Sequence, residues 1–156
     1  MPRPRREADA ALQRLYDQIP AIPGCDGRCW TSCGPIDMSG RERSRIREAG
    51  VRITPWQEAK TSLDTFWCEA LTSDKRCAIY ELRPIVCRLW GAAEGLECPF
   101  GCVPEGGWLP REQAYRLIAE SMRAGGHRAT TGNAGQMDEA LGRAELREEL
   151  DRMRAR

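Results

Sequence analysis

Residues 77–90 read Cys-Ala-Ile-Tyr-Glu-Leu-Arg-Pro-Ile-Val-Cys-Arg-Leu-Trp, and Gly91 follows. Proline has its φ preset for a helix and no N–H to lose in the first turn, so Pro84 opens a helix. That helix carries Ile85, Val86, Cys87, Leu89 and Trp90 and is closed by Gly91. Upstream, Thr72-Ser73-Asp74-Lys75 has the composition of a turn, and Arg76–Tyr80 follows as a brief extended or one-turn element. A short helix between loops, with a cysteine on each side of the proline, predicts a mainly α fold with extensive loops: a small, irregular, metal-stapled single domain.

Cys77 and Cys87 belong to a set of eight, arranged as Cys25-x3-Cys29-x3-Cys33, Cys68-x8-Cys77-x9-Cys87 and Cys98-x3-Cys102. The first twenty residues are basic, but charges interrupt every apolar run, so neither a secretory h-region nor a membrane span is expected. The expected location is the cytoplasm, where thiols are kept reduced and a dense cysteine pattern reads as metal-binding or catalytic before it reads as disulfides.

Composition leads to the same place. Ile, Leu, Val and Phe make up about 16% of the chain, and so few aliphatic side chains bury a limited core. A bound metal contributes folding free energy directly, so a metal centre and five tryptophans could hold what aliphatic packing does not. The 24 basic and 23 acidic side chains are interleaved, leaving no broad basic field for nucleic acid. Arg41, Arg43, Arg45 and Arg47 alternate with Glu42 and Glu48 and are expected to form a solvated helical face.

Four parts are expected along the chain. Residues 1–19 form an N-terminal helix, periodic at Ala8, Leu12, Leu15, Tyr16 and Ile19 and stopped by Pro20, packing as a cover. Residues 20–125 form the cysteine-cluster domain. Its first three cysteines lie among Pro23, Gly24, Gly27, Gly34 and Pro35, a loop that can fold thiolates inward and aim N–H groups at sulfur. Ser39-Gly40-Arg41-Glu42 is a capping box for a helix ending at Gly50, and Thr54-Pro55-Trp56-Gln57 is a second helix start. Leu63, Phe66 and Trp67 are expected under the cysteines, with Phe66-Trp67-Cys68 readable as a short strand. A helix over 110–124 places Ala114, Leu117, Ile118 and Met122 on one face. Residues 126–135 are a flexible linker, and 136–156 a peripheral helix that docks or dimerises.

All-sulfur ligation suits zinc or iron–sulfur clusters and disfavours magnesium and calcium. The x3 spacings fall within the range used by zinc knuckles, and eight thiolates divide evenly into two four-cysteine centres. The only histidine, His127, lies in the linker and is expected to be exposed. Nucleophilic thiol chemistry is the competing enzyme class; it needs a cysteine of lowered pKa, for which Arg83 and Arg88 beside Cys87 could serve, although arginine is equally expected as compensation for metal thiolates. Ordinary ion pairing of these arginines with Glu81 or Glu94 is the plain alternative. No phosphate-loop or dinucleotide fingerprint is present.

The run Cys77-Ala-Ile-Tyr-Glu-Leu-Arg-Pro-Ile-Val-Cys87-Arg-Leu-Trp resembles the C-x-IYE-x-RP-x-x-CR signature of the YkgJ-type cysteine-cluster family, the zinc- or iron-chelating CxxCxxCC type. Tyr80, Arg83, Pro84 and Arg88 fall in register with it. Cys25-x3-Cys29-x3-Cys33-Gly34-Pro35-Ile36, Cys68 with Leu71, and Gly91 through Cys98-Pro99-Phe100-Gly101-Cys102 are also similar, so the resemblance spans about residues 20–125. The family often carries two adjacent cysteines where this chain has Ser32-Cys33, and it does not always have a counterpart of Cys102.

The resemblance implies metal chelation and supplies no reaction. The ligand pool is Cys25, Cys29, Cys33, Cys68, Cys77, Cys87, Cys98 and Cys102, with Arg83 and Arg88 supporting the thiolates. An iron–sulfur cluster is favoured over zinc, in one or two centres, with a possible redox role. The alternative is a structural zinc module that serves a protein partner, reached through the C-terminal helix.

Overall fold

Ala8, Ala11, Leu12, Leu15 and Tyr16 recur at helical spacing, and helix α1 (Arg5–Tyr16) buries all five. The computed structural model describes residues 4–34, 36–55 and 67–126. It ends α1 before the expected limit at Ile19, whose N–H still bonds the Tyr16 carbonyl at 3.0 Å in the turn ahead of Pro20. Helix α1 forms one wall of the main core. Its Leu12 and Leu15 meet Ile85, Val86 and Leu89 of helix α3 (Ile85–Leu89) and Ala114, Leu117 and Ile118 of helix α4 (Arg111–Ala124). Leu12, Leu89, Leu117 and Ile118 are each 0% exposed, and such burial contributes about 1.5–3 kcal/mol per side chain.

Helix α2 (Gly40–Glu48) has the complete capping box expected of Ser39 and Glu42. It ends in a Schellman motif: Gly50 has φ 85°, the Gly50 N–H bonds Arg47 O at 2.9 Å, and the Val51 N–H bonds Ile46 O at 3.2 Å. Glu42 does more than cap. It is 1% exposed, and its Oε1 accepts the Tyr16 hydroxyl at 2.9 Å and the Ile85 N–H at 2.8 Å. Its Oε2 accepts the Ser39 N–H at 3.0 Å and the Ser39 hydroxyl at 2.7 Å. One carboxylate therefore joins the end of α1, the start of α2 and the start of α3.

Arg41 and Arg43 depart from the solvated face expected of the α2 arginines, whereas Arg47 is exposed as expected. The Arg41 side chain is 12% exposed and grips Asp9 of α1 with both Nε and Nη2 at 2.8 Å while Nη1 reaches Glu48 at 2.9 Å. The guanidinium holds the Asp9 carboxyl below its usual pKa. Arg43 donates to Ile53 O at 2.7 Å. Charges that looked like solvent-facing decoration instead fasten α2 to its neighbours, as a bidentate fork allows.

The start of α2 also abuts the end of α4, where Gly125 O accepts the Arg41 N–H at 3.0 Å. A Cβ at Gly125 would overlap the Ser39 side chain. Gly125→Ala is therefore expected to displace the capping serine and lower stability by about 1–3 kcal/mol, read as a lower urea midpoint with an unchanged slope; an unchanged midpoint would refute this contact.

A second cluster, Met38, Ile46, Ile53, Ala70 and Ile79, has Cys68, Cys77 and Leu82 packed against it, and Ile36 touches both clusters. The described residues form helices and loops without a β-strand; pairing is confined to isolated bridges at Leu71–Cys77 and Ala93–Leu109. No described helix is long and apolar enough to cross a membrane. Most of the helix started by Thr54-Pro55, together with Leu63, Phe66, His127 and the helix expected over 136–156, lies outside the described residues.

Candidate metal centre

The first cysteine segment reverses direction at Gly24 and Gly27, with φ of 73° and 74°, values open to glycine at little cost. Cys25 is exposed between them. The expected irregular loop then tightens into a 3₁₀ helix over Arg28–Ser32, kinked at Cys29, and Cys33 ends it in extended geometry with its N–H on Trp30 O at 3.0 Å.

Cys68 is drawn to this segment by its N–H, which donates to Cys33 O at 3.3 Å. The chain then doubles back through the expected turn, with Thr72 N–H on Arg76 O at 2.8 Å and Ala78 N–H on Ala70 O at 2.8 Å. Lys75 adopts φ 63° there, and its ammonium lies 4.8 Å from the centre of the Trp30 ring. The reversal sets Cys77 opposite Leu71, so Cys68 and Cys77 share the floor formed by the second core cluster. A 3₁₀ turn over Tyr80–Leu82 and Pro84 lead into α3, which presents Cys87.

The last pair sits in the Cys98–Cys102 loop, turned at Gly101 with φ 83°. The Phe100 N–H points at Cys98 Sγ at 3.4 Å, and Cys102 Sγ lies 3.9 Å from Gly24 O. The Arg28 guanidinium stacks 5.0 Å over the Phe100 ring, joining this loop to the first cysteine segment.

The first two cysteine segments and α3 enclose a cleft of about 730 Å³ lined by Cys25, Cys29, Cys33, Cys68, Cys77 and Cys87, together with Arg83, Arg88, Ser32 and Trp90, while Cys98 and Cys102 are not among its lining residues. The thiols border the space without converging on a point: among the described residues no three His, Cys, Asp or Glu side chains are grouped to hold a metal ion as they stand. The eight cysteines are all free thiols. Burial pushes the Cys87 thiol well above its usual pKa, with Cys68, Cys33 and Cys77 adding to the rise and Arg83 opposing it. Burial, then Cys25 and Cys98, push Cys29 up to about 11, again with Arg83 in opposition. Cys102 is raised by a hydrogen bond to Cys98, then by burial and by the charges of Cys98, Cys25 and Asp26.

Two consequences follow for the chemistry. Cys29, Cys87 and Cys102 resist ionisation and so lack the depressed pKa that a thiol nucleophile needs. They do fit a cationic centre, because a soft cation stabilises the thiolate form that burial, and to a lesser degree the neighbouring thiols, disfavour. A second observation agrees: Ser32 Oγ and Trp90 Nε1, both on residues lining the cleft, are buried without a hydrogen-bond partner. Orphaned donors beside thiols can serve as hydrogen-bond donors to sulfur. Neither residue was singled out for this role from sequence, although Ser32 stands where the resembled family often has another cysteine.

The two arginines differ. Arg83 stacks 3.7 Å over the Tyr80 ring, donates from Nε to Tyr80 O at 3.0 Å, and is the cation whose charge reaches both Cys87 and Cys29. Arg88 donates to the Arg83 and Glu81 carbonyls, each at 2.7 Å, and lies 4.1 Å over the Tyr16 ring. It meets Glu81 through backbone, not through the side-chain ion pair considered from sequence. Arg88→Lys loses the planar fork that holds both carbonyls and is expected to cost about 2–3 kcal/mol. Thermal unfolding measures this; wild-type stability in the lysine variant would show that the fork is dispensable.

Short helices that hold a ring of reduced thiols around one cleft define a helical cysteine-cluster domain. The chain belongs to the CxxCxxCC family, described as "Putative zinc- or iron-chelating domain", whose model matches residues 24–113 and so takes in all eight cysteines. The YkgJ-type family named from the Cys77–Trp90 signature is consistent with this match. No curated protein and no solved structure matches the chain.

Proposed function

We propose that this protein holds an iron–sulfur cluster on thiolates drawn from a pool of eight: Cys25, Cys29, Cys33, Cys68, Cys77 and Cys87, which line the cleft, and Cys98 and Cys102 on the adjoining loop. The observation that carries the reading is the thiol-lined cleft of about 730 Å³ with two orphaned donors at its wall. Such a space exceeds what a single tetrahedral zinc ion needs, whereas a cluster uses both the room and the donors to its sulfurs. Bound there, a cluster supplies one-electron redox chemistry. Arg83 offsets thiolate charge from beside Cys87 and Cys29, and Arg88 holds the backbone turn that presents Arg83. The bound metal also staples segments that the helical core does not reach, namely the Cys25–Cys33 and Cys98–Cys102 loops.

The test is anaerobic purification of the full chain, with visible absorption and analysis for iron, zinc and acid-labile sulfide. The expected protein is brown, contains iron and sulfide, and bleaches with dithionite. A colourless protein fully loaded with zinc would replace this reading by that of a structural zinc module.

A further inference from the structure

The cleft concentrates positive charge that the chain as a whole lacks. The sequence carries 24 basic and 23 acidic side chains, yet the described residues lining the cleft include four cations, Lys75, Arg76, Arg83 and Arg88, against one carboxylate, Asp26. That carboxylate is already taken, with the Arg28 Nε 2.8 Å from its Oδ2. Arg88 is spent on two backbone carbonyls. Lys75 and Arg76 are exposed while lining the cleft, which puts them at its opening. Arg76 crosses from there to the Asp26 carbonyl at 2.8 Å, beside the exposed Arg28.

Three of these cations are held over aromatic rings. Arg28 lies 5.0 Å from the centre of the Phe100 ring, Lys75 4.8 Å from that of Trp30 and Arg83 3.7 Å from that of Tyr80. Such contacts occur about once per 70–80 residues, so three around one opening exceed chance. Stacking fixes the plane of a guanidinium and leaves its N–H edge facing outward for carboxylates, which lowers the entropy lost on binding. Tyr80 and Phe100 are themselves 49% and 46% exposed, and Tyr with Arg is the composition of protein interfaces.

We propose that this cation–aromatic face docks an acidic electron-carrier protein over the mouth of the cleft. The inference rests on the cluster reading and names the partner it requires. Across the contact one carrier loses a single electron and the other gains it, with no bond made or broken and no proton moved. Encounters of this kind bury little area and rely on complementary charge for steering. A small anion fits less well, because the cations stand on three separate segments, each fastened to its own ring, as the spread carboxylates of a protein surface require. Single-stranded nucleic acid fits less well too, since one face of each ring that would stack a base is covered by its cation.

The test titrates the full-length, anaerobically purified protein with oxidised rubredoxin, a small acidic one-iron carrier, and with the basic haem carrier cytochrome c, using isothermal titration calorimetry. Rubredoxin is expected to bind and to weaken about tenfold or more between about 0.01 M and about 0.15 M salt, as the screening length shortens from about 30 Å to about 8 Å; cytochrome c is expected not to bind. The variant carrying Lys75→Glu and Arg76→Glu is expected to lose about tenfold or more in rubredoxin affinity with its iron and sulfide unchanged. If that variant does not fold, Lys75→Gln decides, with a loss of about twofold or more expected. Absence of rubredoxin binding, indifference to salt, equal binding of cytochrome c, tighter binding of an oligothymidylate, or full affinity in the variants would each overturn the docking face. The two readings fail separately. A brown protein that does not bind rubredoxin keeps the cluster and loses the face, whereas a colourless protein that binds it with this salt dependence keeps the acidic docking face and loses the cluster with its electron transfer.

Discussion

Replacing Glu42 by alanine is expected to destabilise the protein by about 3–5 kcal/mol, a large share of the roughly 5–15 kcal/mol that a domain possesses. Glu42 is 1% exposed and accepts from the Tyr16 hydroxyl, the Ile85 N–H, the Ser39 N–H and the Ser39 hydroxyl. Alanine leaves these donors with no acceptor and little access to water, and each orphaned group costs about 1–3 kcal/mol when it cannot find another partner. The loss concentrates where α1, α2 and α3 meet, directly beneath the segment that carries Cys87. Glu42→Gln keeps the shape but presents an amide N–H₂ where two donors point, so an intermediate loss is expected. Urea unfolding followed by circular dichroism distinguishes the three proteins. A change below about 1 kcal/mol for alanine would mean that the carboxylate is a replaceable cap and not the joint between helices.

Cys87→Ser and Cys77→Ser are expected to abolish loading of the iron–sulfur cluster. Serine preserves size and polarity but offers an oxygen that remains protonated near neutral pH, and soft centres select thiolate sulfur. Cys87 stands on α3 with Cys68, Cys33 and Cys77 as its neighbours, so neither flanking loop can easily supply a substitute ligand to its position. Because metal binding is coupled to folding, each variant should melt well below the metal-loaded wild type. At about 2–4 °C per kcal/mol for a chain of this size, loss of several kcal/mol of metal-coupled stability lowers the midpoint by about 10 °C or more. Removing the metal from the wild type should bring its midpoint toward those of the variants. Full metal content and undiminished stability in both serine variants would refute their assignment as ligands.

Legibility from sequence varied with how local the cause was. The stops and starts of α2 and α4 were readable because caps are local chemistry: Ser39 and Glu42 lie three residues apart, and Gly50 follows the last turn. The apolar face of α4 was readable from periodicity, and Ala114, Leu117, Ile118 and Met122 are indeed buried. Long-range pairings were not. Nothing adjacent to Arg41 indicates that its partner is Asp9, 32 residues away, and nothing near Glu42 points to Ile85, 43 residues away. The same holds for Ser32 and Trp90, ordinary polar side chains in sequence that become orphaned donors once the cleft closes around them.

The eight cysteines, their absence of histidine companions within residues 25–102, and the Cys77–Trp90 signature identify the family and its chelating chemistry without a coordinate, because ligand type and local register are written along the chain. Which cysteines stand together is a different matter. Cys33 meets Cys68 through a backbone hydrogen bond, and Cys102 comes to Gly24 through a loop contact across 78 residues. Sequence spacing cannot assign such neighbours, since loop closure depends only weakly on loop length; the packing of α1, α3 and α4 and the floor under Cys68 and Cys77 decide them.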